Sequence, residues 1–500
     1  MPQSPHSICM HKHSPPSTGF GRVHLFATLT LGLLQMLTIQ ETMGMGTIGP
    51  AAVCDLHMNQ AQLAALTAAG FMGIICSSYF WGYITDKKGR RWTLLRTIIV
   101  SNLCSIASMF CISSTGFFVM RFVTCIFVAG PSFVAATYLS EFCSQRILVR
   151  TITHMYMFSG FAMISCPAWA TLFLSPDFID FEVELVGDLT LRPWRVLGCI
   201  YILPGVVAFF LLLHLPESPK FLMMIGDTQK GLATMEWISK KNTGHGLTDD
   251  QIQHMLAYED HVRMRRRKSK QNVLRSMLDD AMPLFRKPYL GYFLCVCFVM
   301  FVLGLLTNGL GIWFTAMRNR CNMRQGNTQG MTFCRVLFVP ETGPIMETEV
   351  DFEAVCDDSF KGFNNSFVLG AVYVALYNLC WLSLFCVHKK VMFVFSLVSA
   401  STFGFLLIVV TDPMMQLFSL VFVLAFPGVT IGLLGGALLR FVPTYIRAKA
   451  LCISLMWCRC GAAVGAILVG SNIQDHCELF LLAIAILPLI AACMEGYLPL

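Results

Sequence analysis

Twelve apolar blocks run the length of this 500-residue chain, at about 24–53, 63–85, 92–112, 115–140, 150–174, 194–214, 288–315, 364–386, 390–411, 414–439, 446–470 and 476–497. About 20 apolar residues suffice for a helix to cross the hydrocarbon core of a bilayer. Lipid offers no hydrogen bonds, so each such block must satisfy its own backbone as a helix. The pattern predicts an all-α polytopic membrane protein with twelve transmembrane helices. Composition agrees: 13% of residues are charged, against roughly 25% in soluble domains. The first block, from near His24 to Val53, is too long for a signal-peptide core and is expected to stay as the first span.

Six blocks precede the polar stretch 215–287 and six follow it. The expected organisation is a tail (1–22), a first six-helix bundle (23–214), a linker (215–287) and a second six-helix bundle (288–500). The last carries a long 7–8 loop at 316–363. Lysine and arginine set the orientation. Lys87, Lys88, Arg90 and Arg91 lie in the 2–3 loop, and thirteen basic residues lie in 215–287, with the run Arg263 to Lys270. Lys389 and Lys390 follow in the 8–9 turn, and Arg440, Arg447 and Lys449 in the 10–11 loop. The alternate loops are poor in cations; the 5–6 loop sets Arg192 against Asp177, Asp180, Glu182, Glu184 and Asp188. The positive-inside rule places the basic loops and both termini in the cytoplasm.

The net charge of +7 is therefore topological, and no recognition motif accompanies it, so no nucleic-acid partner is expected. Most of the 21 cysteines fall within apolar blocks as small hydrophobes. None has zinc-site spacing, and neither metal nor cofactor is expected. In the 7–8 loop, Cys321, Cys334 and Cys356 allow one disulfide among the three, with the pairing undecided. Asn364-Asn365-Ser366 fits a glycosylation acceptor at Asn364.

The second block ends in Gly82-Tyr-Ile-Thr-Asp86-Lys87-Lys-Gly89-Arg90-Arg91. Arg121-Phe122 opens the fourth block, which closes with Tyr138-Leu-Ser-Glu141. Trp194-Arg195 opens the sixth, and Pro216-Glu217-Ser218-Pro219-Lys-Phe-Leu follows it. Gly309 to Phe314 end the seventh, Phe441-Val-Pro-Thr444 precedes the eleventh, and Arg459-Cys-Gly461 lies inside it. Together these segments resemble the major facilitator superfamily, in particular its synaptic-vesicle-glycoprotein-2-like branch beside the organic-ion and sugar porters. The resemblance implies a major facilitator fold, two six-helix bundles around a solute path. It also implies a cytoplasmic gate of Gly82, Asp86, Lys87, Gly89, Arg90, Arg91, Arg121, Glu141 and Glu217. The chain departs from the branch at Thr38, which takes the place of an acid before Glu41. It also departs at Arg440, and in a second-half gate reduced to His388-Lys389-Lys390.

Charge inside a bilayer is costly and by default functional. Glu41 and Arg459 lie well inside the first and eleventh blocks. They are expected to line a central cavity, as an ion pair or as proton and substrate contacts. Tyr138, Asn308, Trp313 and Asn378 are further cavity candidates. Helix breaks are expected at Gly160 to Pro167, Pro204-Gly205 and Pro427-Gly428. With no nucleotide-binding loop and no paired catalytic groups on a helix face, the chain reads as a non-enzyme. The leading reading is a monomeric transporter of a small organic solute. It works by alternating access, driven by a gradient, in a plasma or vesicle membrane and contacting lipid. The alternative is a non-transporting membrane scaffold that binds a partner through its 7–8 loop.

Overall fold

A computed structural model describes residues 21–495, apart from 54, 145–146, 175–180, 187–188, 248–281, 288, 324–329, 339–365, 443–446 and 473–475. Within them, twelve helices are long and apolar enough to cross a membrane. Spans 1 to 6 are Arg22–Ala52, Ala61–Lys88, Arg90–Met109, Ser114–Phe142, Leu148–Leu174 and Pro193–Leu212. Spans 7 to 12 are Leu290–Arg318, Ser366–Ser383, Lys389–Val409, Pro413–Leu439, Lys449–Gly470 and Cys477–Met494. They overlap the twelve apolar blocks and form two six-helix bundles. Local chemistry sets several edges. Asn59 accepts from the Gln62 N–H at 2.8 Å while the Gln62 side chain accepts from the Asn59 N–H at 2.9 Å. This reciprocal cap starts span 2. Asp412 accepts from the Met415 N–H, with Pro413 in the first turn, to start span 10.

Four spans are interrupted. Span 1 breaks at Gly44, between helices Arg22–Met43 and Met45–Ala52. Span 6 breaks at Tyr201 and Ile202, just ahead of Pro204, which has no N–H to continue the ladder. Span 5 breaks at Met157, whereas the expected break at Gly160 to Pro167 lies inside the continuous helix Phe158–Leu174. Pro427 likewise sits within the unbroken helix Pro413–Phe441. Span 7 passes through a π-helical segment, Leu305–Leu310, and a 3-10 turn, Gly311–Trp313. Its i→i+5 pattern brings Gly304 and Gly309 to one face. A Cβ on Gly304 would fall 1.8 Å from the Cys458 carbonyl oxygen of span 11, and one on Gly461 2.0 Å from that of Phe301. Small residues here let two helix backbones touch.

The polar stretches carry structure the apolar pattern did not predict. Helices Pro219–Ile225 and Thr228–Thr243 occupy the start of the 215–287 stretch. The second docks on span 1, where Asn242 accepts from the Val23 N–H at 2.9 Å and lies 3.2 Å from His24 Nδ1. A short antiparallel hairpin, Val183–Val186 with Leu189–Leu191, fills the 5–6 loop. Cys334, on helix Phe333–Phe338, is disulfide-bonded to Cys477 at the start of span 12. For Cys334 this differs from the expected pairing within the 7–8 loop; Cys321 is buried. Cys477 opens an apolar block and reads in sequence as a buried hydrophobe, but its helix begins on the face that carries the 7–8 segment. Cys356, Asn364 and the run 263–270 lie outside the described residues.

The bundles meet along several seams, among them those of spans 2 with 11, 5 with 8 and 10, and 1 with 7. Spans 2 and 11 touch at Gly82 against Cys452 and at Ala64 against Gly470, near opposite membrane faces. Spans 5 and 8 touch at Gly160 against Val374 and at Gly370 against Ile164. Span 1 meets span 7 where a Cβ on Gly46 would fall 2.2 Å from the Ile312 carbonyl oxygen.

Candidate functional site

Ionic groups gather at three levels of the first bundle. At the basic face, Gly89 joins spans 2 and 3 with φ +102°, a left-handed turn that favours glycine. The turn presents the first N–H groups of span 3 to Glu217. That carboxylate accepts from the N–H of Arg90 at 2.9 Å, of Arg91 at 3.1 Å and of Trp92 at 3.4 Å. Negative charge at a helix N-terminus is favoured by the dipole and by otherwise orphaned donors. Arg90 Nη2 lies 3.0 Å from Asp86 and 3.1 Å from Glu141, tying the end of span 2 to span 4. Arg91 caps the other end of a helix: its guanidinium donates to the carbonyls of Leu212 and Leu213, closing span 6. Lys87 takes no part in these pairs; its ammonium stands 4.4 Å over the Tyr83 ring.

At the opposite face, Asp55 receives Arg195 Nη2 at 2.9 Å and Arg192 at 3.5 Å, while Arg195 Nη1 also donates to the carbonyls of Met109 and Cys111. The sequence singled out Arg195 but not Asp55, which lies 140 residues away.

Between these levels, Glu41 and Arg121 form a fully buried pair. Arg121 Nη2 donates to Glu41 Oε2 at 2.7 Å and to the Glu41 backbone carbonyl at 2.6 Å. Ser105 of span 3 donates to Glu41 Oε1 at 2.8 Å. The geometry follows from the break at Gly44: the helix Arg22–Met43 ends there, and its last carbonyls and negative dipole end suit a cation. This corrects two expectations. Arg121 does not belong to the basic-face cluster, because Glu141 lies about 30 Å further along the same helix at 1.5 Å per residue. Glu41 does not pair with Arg459. One rule would have found the pair: Glu41 and Arg121 are both charges inside spans of one bundle, and such charges seek each other.

Arg459 sits at the middle of span 11, buried at 6% exposure. Its Nη2 donates to Ser132 of span 4 across the seam between the bundles at 3.2 Å, while Nη1 is buried without a hydrogen-bond partner. The other cavity candidates are mostly structural braces. Tyr138 donates to the Pro216 carbonyl and packs edge-on against Phe142, so it belongs to the basic-face end of span 4. Trp313 donates to the Ala466 carbonyl of span 11 at 2.9 Å. Asn378 donates to Val374 O and reaches Met157 Sδ of span 5 at 3.1 Å, on the 5–8 seam. Asn308 is buried within the π segment of span 7.

Several known proteins are similar to this chain. The family profile described as "Sugar (and other) transporter" matches residues 48–312. Among curated proteins, mouse SVOPL is 25% identical over 224 residues, 45% of this chain and 42% of that protein. Human synaptic vesicle glycoprotein 2A is 24% identical over 226 residues, 45% of this chain and 30% of that protein. The chain thus spans less than half the length of these relatives. Among solved structures, the proton:xylose symporter XylE bound to 6-bromo-6-deoxy-D-glucose superposes with a TM-score of 0.66 at 16% identity. The match covers 95% of this chain and 96% of that one, and it establishes a shared fold. With its matched profile, the chain belongs to the sugar (and other) transporter family, and its twelve spans share the fold of a major facilitator symporter.

Proposed function

We propose that this chain moves a small organic solute across its membrane by alternating access, driven by a proton gradient. The basic face, and with it both ends of the chain, is cytoplasmic by the positive-inside rule. The protein works as a monomer in a plasma or vesicle membrane, with lipid around it.

The observation that carries the reading is the buried Glu41–Arg121–Ser105 triad. A proton on Glu41 cancels one of two opposed charges and leaves the Arg121 guanidinium with a carbonyl and a hydroxyl. An ion pair taken out of water is worth keeping only while both partners are charged. The triad lies next to the Gly44 break, beyond which Met45–Ala52 carries Gly46 against Ile312 of span 7. Protonation therefore acts at the point where span 1 closes on the second bundle. The basic-face end has its own cross-bundle contacts. Arg150 of span 5 donates to the Leu384 carbonyl after span 8 at 3.1 Å, and Val149 packs against Gly436 of span 10. Rocking of one bundle on the other breaks one set while the other holds. The Asp86–Arg90–Glu141 cluster keeps the ends of spans 2, 3 and 4 moving as one body.

Uptake into proteoliposomes across a panel of organic cations, anions and sugars tests the reading. Inward proton gradients should accelerate uptake of one class, and Glu41→Gln should abolish that acceleration. Unchanged pH-driven uptake by Glu41→Gln removes the triad from the mechanism. No uptake of any class by folded protein favours the binding scaffold instead.

A further inference from the structure

We infer that the outward face of span 9, from Lys390 to Phe403, is a binding site for an anionic phospholipid, with one acyl tail in an apolar groove and the headgroup at His388, Lys389 and Lys390. This goes beyond the transporter reading and does not rest on it. It needs only that the twelve spans lie in a bilayer.

The argument starts from shape. A groove of about 580 Å³ follows one face of span 9, past Lys390, Val391, Val394, Phe395, Val398 and Phe403. From Lys390 to Phe403 it runs about 20 Å at 1.5 Å per residue. One leaflet of hydrocarbon is about 15 Å deep, so the groove takes an acyl tail over the full depth of its leaflet. The face is open, with Val391 59% and Phe395 64% exposed. Its walls are set before any lipid arrives. Valines have few rotamers. Phe403 stacks on Phe422 of span 10 at 4.7 Å, and Phe395 meets Phe426 of the same span edge-on at 6.2 Å. Thr402 adds a hydroxyl to the groove, but it donates to the Val398 carbonyl at 2.9 Å. A preformed apolar trough orders a tail with less loss of freedom than a surface that must rearrange.

Charge decides which lipid. Lys389 and Lys390 open span 9, the exposed His388 precedes them, and no acid occurs from Ser366 to Thr411. The positive end of the helix dipole lies at the same point. Basic clusters at the membrane end of a span attract anionic headgroups. A sterol would fill the trough and leave the lysines unanswered, while a free phosphate would use the lysines and ignore the trough. One molecule, anionic at one end and apolar for about 15 Å beyond it, answers both features. The headgroup would also sit beside a junction of the two bundles. Arg150 of span 5 reaches the same 8–9 turn, where its guanidinium stands 3.8 Å over the Phe385 ring and donates to the Leu384 carbonyl.

The test uses the full-length protein in detergent micelles doped with phosphatidylserine or phosphatidylcholine, with native mass spectrometry counting the lipid retained. The wild type should retain phosphatidylserine over phosphatidylcholine in a saturable way. Lys389→Gln with Lys390→Gln should raise the half-saturating concentration about tenfold or more, as loss of two cations beside an anionic headgroup implies. Val394→Trp fills the trough, keeps the lysines and should raise it several-fold. Lys240→Gln with Lys241→Gln removes the same charge from the helix Thr228–Thr243 on the same basic face and should change nothing. If Val394→Trp fails to fold, Val398→Phe takes its place, and unchanged retention in the variant that folds overturns the site. So does a wild type that holds the two lipids equally. A Lys240 and Lys241 variant weakened as much as the Lys389 and Lys390 one overturns it too, because the effect is then diffuse charge. Full displacement by sodium phosphate alone, or by cholesterol, overturns it in favour of a free anion or a sterol. None of these readings involves uptake, so the transporter reading stands or falls separately.

Discussion

Spans 1–6 are tied together by charge, spans 7–12 by close approach of backbones. In the first bundle, Asp86–Arg90–Glu141, Glu41–Arg121 and Asp55–Arg195 each join different helices at a different depth. In the second, side chains donate to carbonyls of neighbouring helices. Tyr373 reaches Leu424, Tyr377 reaches Gly428, Trp313 reaches Ala466 and Ser401 reaches Ala485. Gly304 and Gly461 let spans 7 and 11 meet backbone to backbone, and Cys334–Cys477 fastens the outer rim. Ion pairs respond to a proton; hydroxyl-to-carbonyl bonds, glycine contacts and a disulfide do not. Under the proposed mechanism the switch belongs to the first bundle and the framework to the second, whose spans carry Arg459 as their one charge away from the span ends.

The strongest way to break this contrast is to remove one partner of the deepest pair. Arg121→Met strands Glu41 and should cost about 3–5 kcal/mol of stability. The double change Arg121→Met with Glu41→Gln should recover much of it, as read by unfolding in denaturant. Full additivity of the two would mean the pair is not coupled. Next comes the rim: Cys334→Ser should cost about 2–4 kcal/mol under oxidising conditions. It should cost nothing in reductant, and peptide mapping of the wild type should recover Cys334 linked to Cys477. Gly461→Val sets a side chain into the Phe301 carbonyl and should destabilise by about 1–3 kcal/mol, the usual scale of overpacking. Tolerance of valine there would show that spans 7 and 11 do not touch. The smallest effect sharpens the comparison between the two ends of the first bundle. Glu217→Gln keeps acceptors for the span 3 N–H groups but loses the charge, for about 0.3–1 kcal/mol. Glu217→Ala should cost more, and equal losses would mean that only the charge matters.

The basic-face cluster was legible because its residues lie close in sequence or at helix ends. Gly89 announces a turn, and Asp86, Arg90 and Arg91 flank it. Glu141 lies in the last turn of span 4, and Glu217 in the short connection after span 6. Arg121 was misplaced because its partner is 80 residues away and nothing local distinguishes an arginine that caps a break from one in a gate. Asp55 was missed for the same reason, and Ser105 carries no signal outside its surroundings. The π segment of span 7 follows from its contact with span 11, which its own glycines only hint at.

The sequence by itself determined that twelve helices cross a bilayer in two groups of six, and which face is basic. Apolar length and the placement of lysine and arginine act segment by segment, without reference to any neighbour. Tertiary structure alone decided the partners: Arg121 for Glu41, Cys477 for Cys334, Ser132 for Arg459. Those choices depend on which helices lie side by side and at what depth. In a chain of similarly oily segments, close packing resolves that, because a buried charge or thiol answers only to what is within a few ångströms of it.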